Sequence, residues 1–184
     1  MTNPNLRGPF DVQVDDLDRL EPSEALEVLH QLLVAEALQI NVPVTSISVP
    51  RALNTPDGGV DAEVDATLLN PTETNLLFGG HAYYQVKTGS FSASSLPEIK
   101  SLIITPKFIK TKKLKPEHLQ PRVKECLDAG GAFVVVLFGS DAVGKSENYG
   151  ESQIKAQLKK IDASYANAKV IIIRANQLCA AIKI

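Results

Sequence analysis

Apolar residues recur at Leu26, Leu29, Leu33, Ala37 and Ile40, one face of a 3.6-residue period, which predicts an amphipathic helix. Pro22 fixes a helical φ in its first turn, Ser23 offers a capping hydroxyl, and Glu24 and Glu27 stand where the helix dipole favours acids. The period then changes. Val42 to Val49 alternates, is rich in β-branched residues and stops at Pro50, as a strand does. Gly58 and Gly59 turn the chain into Val60 to Leu69, where Val60, Ala62, Val64 and Ala66 alternate with Asp61, Glu63 and Asp65. A two-residue period sends the two sets to opposite faces of a strand, so one face carries a row of carboxylates.

His81 to Thr88 reads as a second strand ended by Gly89, and the short link rich in Asn, Pro and Thr makes the pair antiparallel. Ser90 to Glu117 mixes loop and helix. Pro121 to Ala129 is helical and stops at Gly130 and Gly131, and Ala132 to Phe138 is a buried strand. Ser152 to Ala163 forms a helix with Ile154, Leu158 and Ile161 inward, Lys169 to Arg174 a further buried strand, and Asn176 to Ile182 a short helix. The alternation describes an α/β protein, a central mixed sheet flanked by helices. Residues 1–21 carry Asp11, Asp15, Asp16 and Asp18 with Pro4 and Pro9, and read as an acidic arm ahead of one domain over 22–184.

With 184 residues and 44% apolar content the chain can bury one substantial core. A net charge of -2 removes any whole-molecule case for nucleic-acid binding. The distribution restores one: Lys100, Lys107, Lys110, Lys112, Lys113, Lys115, Arg122 and Lys124 fall in one stretch with little acid. Lys107, Lys110, Lys112, Lys113 and Lys115 are the candidate contacts to a phosphate backbone, against the alternative of a solvated loop. Phe91 and Phe108 nearby read as packing residues. Cys126 and Cys179 are too few for a disulfide scaffold and fall on apolar helix faces. His30, His81 and His118 stand apart, so a zinc site lacks ligands and any metal must be held by oxygen. The opening MTNPNLRGPFDVQV has no apolar run of signal-peptide type, and no apolar stretch approaches the roughly 20 residues of a membrane span, so a cytoplasmic protein without membrane contact is expected.

On the paired strands, Asp61 and Gln85-Val86-Lys87 bring a carboxylate, an amide and an ammonium group toward one point, Gln85 and Lys87 sharing a face. Oxygen ligands suit Mg²⁺ or Mn²⁺, and a lysine beside them suits charge stabilisation in phosphodiester hydrolysis. The bland alternative makes Asp61, Glu63 and Asp65 the solvated face of an edge strand, with Lys87 paired to one of them.

The lead-in Pro56-Asp57-Gly58-Gly59-Val60-Asp61 followed by Gln85-x-Lys87 resembles the PD-(D/E)XK restriction-endonuclease superfamily, and more narrowly the Mrr-like and antiphage-effector nuclease domains in which Gln replaces the second acid. Leu20-x-Pro22-Ser23-Glu24-Ala25-Leu26-Glu27 is similar to the first helix of that group, and Arg174-Ala175-Asn176-Gln177-Leu178 to its closing segment. The resemblance implies a restriction-endonuclease-like fold and a Mg²⁺- or Mn²⁺-dependent DNA endonuclease. In it Asp61, Gln85, the Val86 carbonyl and Glu27 hold the metal and Lys87 is catalytic, with Glu24 and Glu36 as weaker candidates for the helix acid. It further implies the N-terminal effector module of an antiphage defence protein, joined to a C-terminal sensor or oligomerisation domain and active as a homo-oligomer. Gln in place of an acid removes one negative charge, which weakens the expected metal affinity.

Two other readings stand beside this one. The scaffold could serve as a non-catalytic nucleic-acid-binding or oligomerisation module. Alternatively, Gly139 to Ser146 satisfies the Gly-x4-Gly-Lys-Ser pattern of a phosphate-cradling loop, with Lys145 as its lysine. Against that, Glu147-Asn148-Tyr149-Gly150 places turn formers where a helix should open, and Val170 to Ile173 ends in Arg174 rather than a metal-binding acid.

Overall fold

A computed structural model describes residues 12–49, 60–68, 75–139 and 149–182. Five strands form one sheet in chain order: β1 (Ile47–Ser48), β2 (Ala62–Ala66), β3 (Gly80–Lys87), β4 (Ala132–Leu137) and β5 (Lys169–Ile173). β1, β2 and β3 pair antiparallel, whereas β3, β4 and β5 pair parallel. The sheet is therefore mixed, and helices cover both faces, as the alternation of periods implies.

Helices α1 (Val14–Asp18), α2 (Pro22–Gln39) and α6 (Ala175–Ile182) share a core with one face of the sheet, in which Leu29, Leu33, Tyr84, Val134, Val136 and Leu178 are buried. Helices α3 (Leu96–Ile103), α4 (Pro121–Asp128) and α5 (Tyr149–Ile161) cover the other, over Ile99, Leu102, Phe133, Val135, Leu137 and Leu158. β4 is buried at every position, which explains its unbroken Ala-Phe-Val-Val-Val-Leu run. Each large side chain so buried contributes about 1.5–3 kcal/mol. Tyr83 and Tyr84 are both buried, one in each core, so neither faces an open surface. The Tyr84 hydroxyl donates to the Leu76 carbonyl at 2.7 Å. Burial, helped by the charges of Glu125 and Glu63, pushes the Cys126 thiol up to about 12 and removes it as a nucleophile.

Three sequence expectations need correction. Part of the acidic arm is structured: α1 closes a capping box in which Asp16 accepts the Gln13 N–H at 3.0 Å, and Leu17 is buried in the core. α2 is capped by Glu21, not Ser23, with the Glu24 carboxylate accepting the Glu21 N–H at 2.9 Å. The strand expected over Val42 to Val49 shrinks to Ile47–Ser48, behind a 3-10 turn over Val44–Ser46. The Val42 N–H remains tied to the Ala37 carbonyl of α2 at 2.8 Å, and Pro43 has no N–H to offer a ladder. At the far side of the sheet, the outward N–H of Ile172 in β5 is capped by the Glu151 carboxylate of α5 at 3.0 Å.

Candidate functional site

The β2 ladder slips where it meets Asp61. Ala62 is the register partner of Tyr84, yet the Asp61 N–H donates to that same Tyr84 carbonyl at 2.7 Å. A one-residue offset of this kind re-aims a side chain, as β-bulges do. The Asp61 carboxylate turns along the sheet edge, and its Oδ2 accepts the Val86 N–H at 2.7 Å, the place a ladder carbonyl would take. A strand residue's N–H and C=O point to the same side, so the Val86 carbonyl also faces Asp61.

A cavity of about 700 Å³ opens at this point. Glu21, Pro22, Ser23 and Leu26 line it from the start of α2, and Asp61, Val86, Lys87, Thr88 and Phe91 from the sheet end and the loop beyond. The Lys87 Nζ lies 5.9 Å from the centroid of the Phe91 ring, within cation–π reach. The Phe91 loop is held from below. Glu98, third residue of α3, accepts the N–H groups of Ser94 and Ser95 at 3.0 Å each, the Ser95 hydroxyl at 3.0 Å and the Ser92 N–H at 3.4 Å. Burial opposes ionisation of Glu98, but these serine donors outweigh it and hold the carboxyl below its ordinary value.

Asp61, Val86 and Lys87 thus share one cavity, and other expected residues lie elsewhere. Gln85 is 4% exposed, does not line the cavity among the described residues, and its Oε1 has no hydrogen-bond partner. Glu27 is exposed, accepts the Gln31 amide at 2.9 Å and does not line the cavity. Glu36 is buried and accepts the N–H groups of Asn75, Leu76 and Leu77, a structural pin. Glu24 caps α2. The carboxylate row is divided among separate partners: Glu63 pairs with Arg122 of α4, which also pairs with Glu125 and lies over the Tyr83 ring, and Asp65 lies 3.7 Å from His81.

Glu21 and Phe91 are the cavity residues that the sequence reading missed. Glu21 stands before Pro22, outside the helical period used to choose acids, and Phe91 reads as a packing residue until Lys87 is seen over it. Lys107, Lys110, Lys112, Lys113 and Lys115 are exposed in the segment between α3 and α4, and none lines the cavity. The phosphate-loop pattern lies outside the described residues except Gly139, and the turn expected at Tyr149-Gly150 is instead the opening of α5. A Cβ at Gly139 would sit 1.7 Å from the Gly89 carbonyl oxygen, so close backbone packing already requires glycine at this position.

No protein-family model matches the chain, and neither the curated proteins nor the solved structures give a significant match.

Asp61, half-buried, and the backbone carbonyl on its side of the strand are oxygen donors of the kind a hard divalent cation takes, whereas the Gln85 amide oxygen, buried and without a donor, lies outside the cavity lining. Among the described residues no cluster of three His, Cys, Asp or Glu side chains is assembled. Oxygen donors carrying so little negative charge favour weak binding.

Proposed function

We propose that this chain hydrolyses phosphodiester bonds in DNA with Mg²⁺ or Mn²⁺ as cofactor. One observation carries the reading: the Asp61 carboxylate is locked to Val86 at the end of a central strand, in one cavity with Lys87. Asp61 and the Val86 carbonyl would hold the cation, with Glu21 the other acid lining the cavity. A divalent cation supplies Lewis acidity toward a phosphodiester and toward water. In the hydrolysis, a water oxygen bonds to phosphorus, the bond from phosphorus to the leaving sugar oxygen breaks, and the water's protons end on that oxygen and solvent. The Lys87 ammonium stabilises negative charge gathering on the non-bridging oxygens, oriented by the Phe91 ring beneath it. The family resemblance adds the wider expectation of an effector module whose activity depends on a sensor domain and on assembly of several copies.

Nicking of supercoiled plasmid with Mg²⁺ or Mn²⁺ tests this. Asp61→Asn and Lys87→Met are expected to lose about 100-fold or more, the scale of one removed charge-stabilising group, and Lys145→Ala to retain activity. Full nicking by Asp61→Asn, or its loss in Lys145→Ala alone, would overturn the assignment.

A further inference from the structure

Between α3 and α4 the chain makes an excursion whose ends are stapled together. Ile104 and Leu119 form an isolated β-bridge, and the Thr105 N–H and hydroxyl donate to the carbonyls of His118 and Leu119, each at 3.0 Å. The Gln120 N–H reaches the Ile103 carbonyl at 2.9 Å, and its side-chain amide reaches the carbonyls of Ser101 at 2.8 Å and Leu102 at 3.2 Å. Inside the loop, the Phe108 and His118 rings stack with centroids 4.2 Å apart, and Ile109 and Leu114 pack on the core beneath α3 and α4. This is a compact surface loop with a closed neck, its lysines displayed on a fixed frame rather than on a trailing segment.

Its charge is lopsided. Residues 105–120 hold Lys107, Lys110, Lys112, Lys113 and Lys115 against the single acid Glu117. Glu117 pairs with Lys115 at 3.5 Å, and Lys107 leans over the Phe108 ring at 4.9 Å. Among the described residues Lys110, Lys112 and Lys113 form no ion pair, although nearby acids engage Arg122 and Lys124. Like charges held together without compensation raise the free energy of the isolated loop, and a polyanion relieves it.

We propose that loop 105–119 is an anchor for a nucleic-acid backbone, a contact region separate from the Asp61 cavity. Residues 105–119 line none of the cavities at Asp61, Glu63 and Glu36, and exposed ammonium groups spread along the loop suit a repeating line of phosphates. An anionic membrane fits less well. Among the described residues the exposed large apolar ones are Leu38, Val44 and Leu96, all outside the loop, whereas its own Ile109 and Leu114 pack on the core, so the loop has no wedge for the acyl region. The hydrolase reading enters only in choosing nucleic acid among polyanions.

The test is anisotropy of a labelled 30-base-pair duplex titrated with the full chain in EDTA, which keeps binding apart from cleavage. The triple variant Lys110→Glu, Lys112→Glu, Lys113→Glu is expected to bind at least tenfold more weakly. Its dependence of log affinity on log salt should flatten by about 2–3, at roughly 0.9 per lost phosphate contact. Lys159→Glu, at an exposed lysine of α5 outside both the loop and the cavity, should bind within about threefold of the parent. Absent duplex binding, or affinity and salt slope unchanged in the triple variant, would overturn the anchor. So would sedimentation of the parent with phosphatidylserine-containing vesicles that the triple variant loses while its duplex binding stays intact. A chain that binds the duplex through these lysines yet never nicks plasmid keeps the anchor and loses the hydrolase; nicking with an indifferent triple variant does the reverse.

Discussion

The Asp61 carboxylate accepts the Val86 N–H at 2.7 Å, so one side chain both closes the end of the β2–β3 ladder and faces the cavity. Asp61→Ala leaves that N–H without its partner, which costs about 1–3 kcal/mol at a buried site and less at a half-buried one. We expect a loss near 1 kcal/mol, a fall of about 2–4 °C in Tm for a chain of this size. Asp61→Asn keeps an acceptor oxygen and should lose less stability but as much nicking. Thermal melts of both variants beside plasmid assays separate the two effects.

Glu63 sits two residues from Asp61 but belongs to a different arrangement, held by Arg122. Glu63→Gln should therefore retain plasmid nicking within about threefold while lowering stability by no more than about 1 kcal/mol, the range of a partly exposed ion pair. Nicking lost to the same degree as in Asp61→Asn would place Glu63 in the chemistry after all.

Glu36 accepts three backbone N–H groups from the segment before β3 while only 8% exposed. Glu36→Ala strands those donors, and about 3 kcal/mol or more should be lost, since bonds to a buried charged acceptor are among the stronger ones. Glu36→Gln, with one acceptor oxygen, should fall between. Urea denaturation of the three proteins at equal m-value reads this directly.

Glu98 supplies a pH test. Its folded carboxyl titrates below its ordinary value because the serine loop donates to the ionised form. A depressed folded value means that the contribution is complete above the unfolded carboxyl's pKa, about 4.3, and is lost as pH falls through the lower folded value. The stability difference between the parent and Glu98→Gln should be constant from pH 6 to 8 and shrink below about pH 4. Denaturant midpoints across that range check the sign; a gap that widens on acidification contradicts the serine clamp.

Local periodicity carried most of the architecture. The α2 stripe of Leu26, Leu29, Leu33 and Ala37 is buried as expected, and the apolar run of β4 lies inside the sheet. The expected antiparallel pair is present as β2 and β3. What stayed illegible depends on partners far along the chain. Glu63 and Arg122 are 59 residues apart, and Glu36 finds its donors about 40 residues on. The slip at Asp61 arises from the ladder ending there, which no period announces. Glu27 is the sixth residue of α2, past the first turn where the sequence reading set it beside Glu24, and it does not line the cavity.

The Glu151 cap on Ile172 bears on how copies of this chain could meet. A neighbouring strand zipping onto β5 would have to evict a carboxylate seated on the middle of that margin, and the opposite margin, β1, is only two residues long. Continuous sheets running from molecule to molecule are thus discouraged at both borders, and higher-order association is steered toward helical surfaces and loops. The same arrangement guards a Val-Ile-Ile-Ile stretch of β-branched residues against templating its own kind.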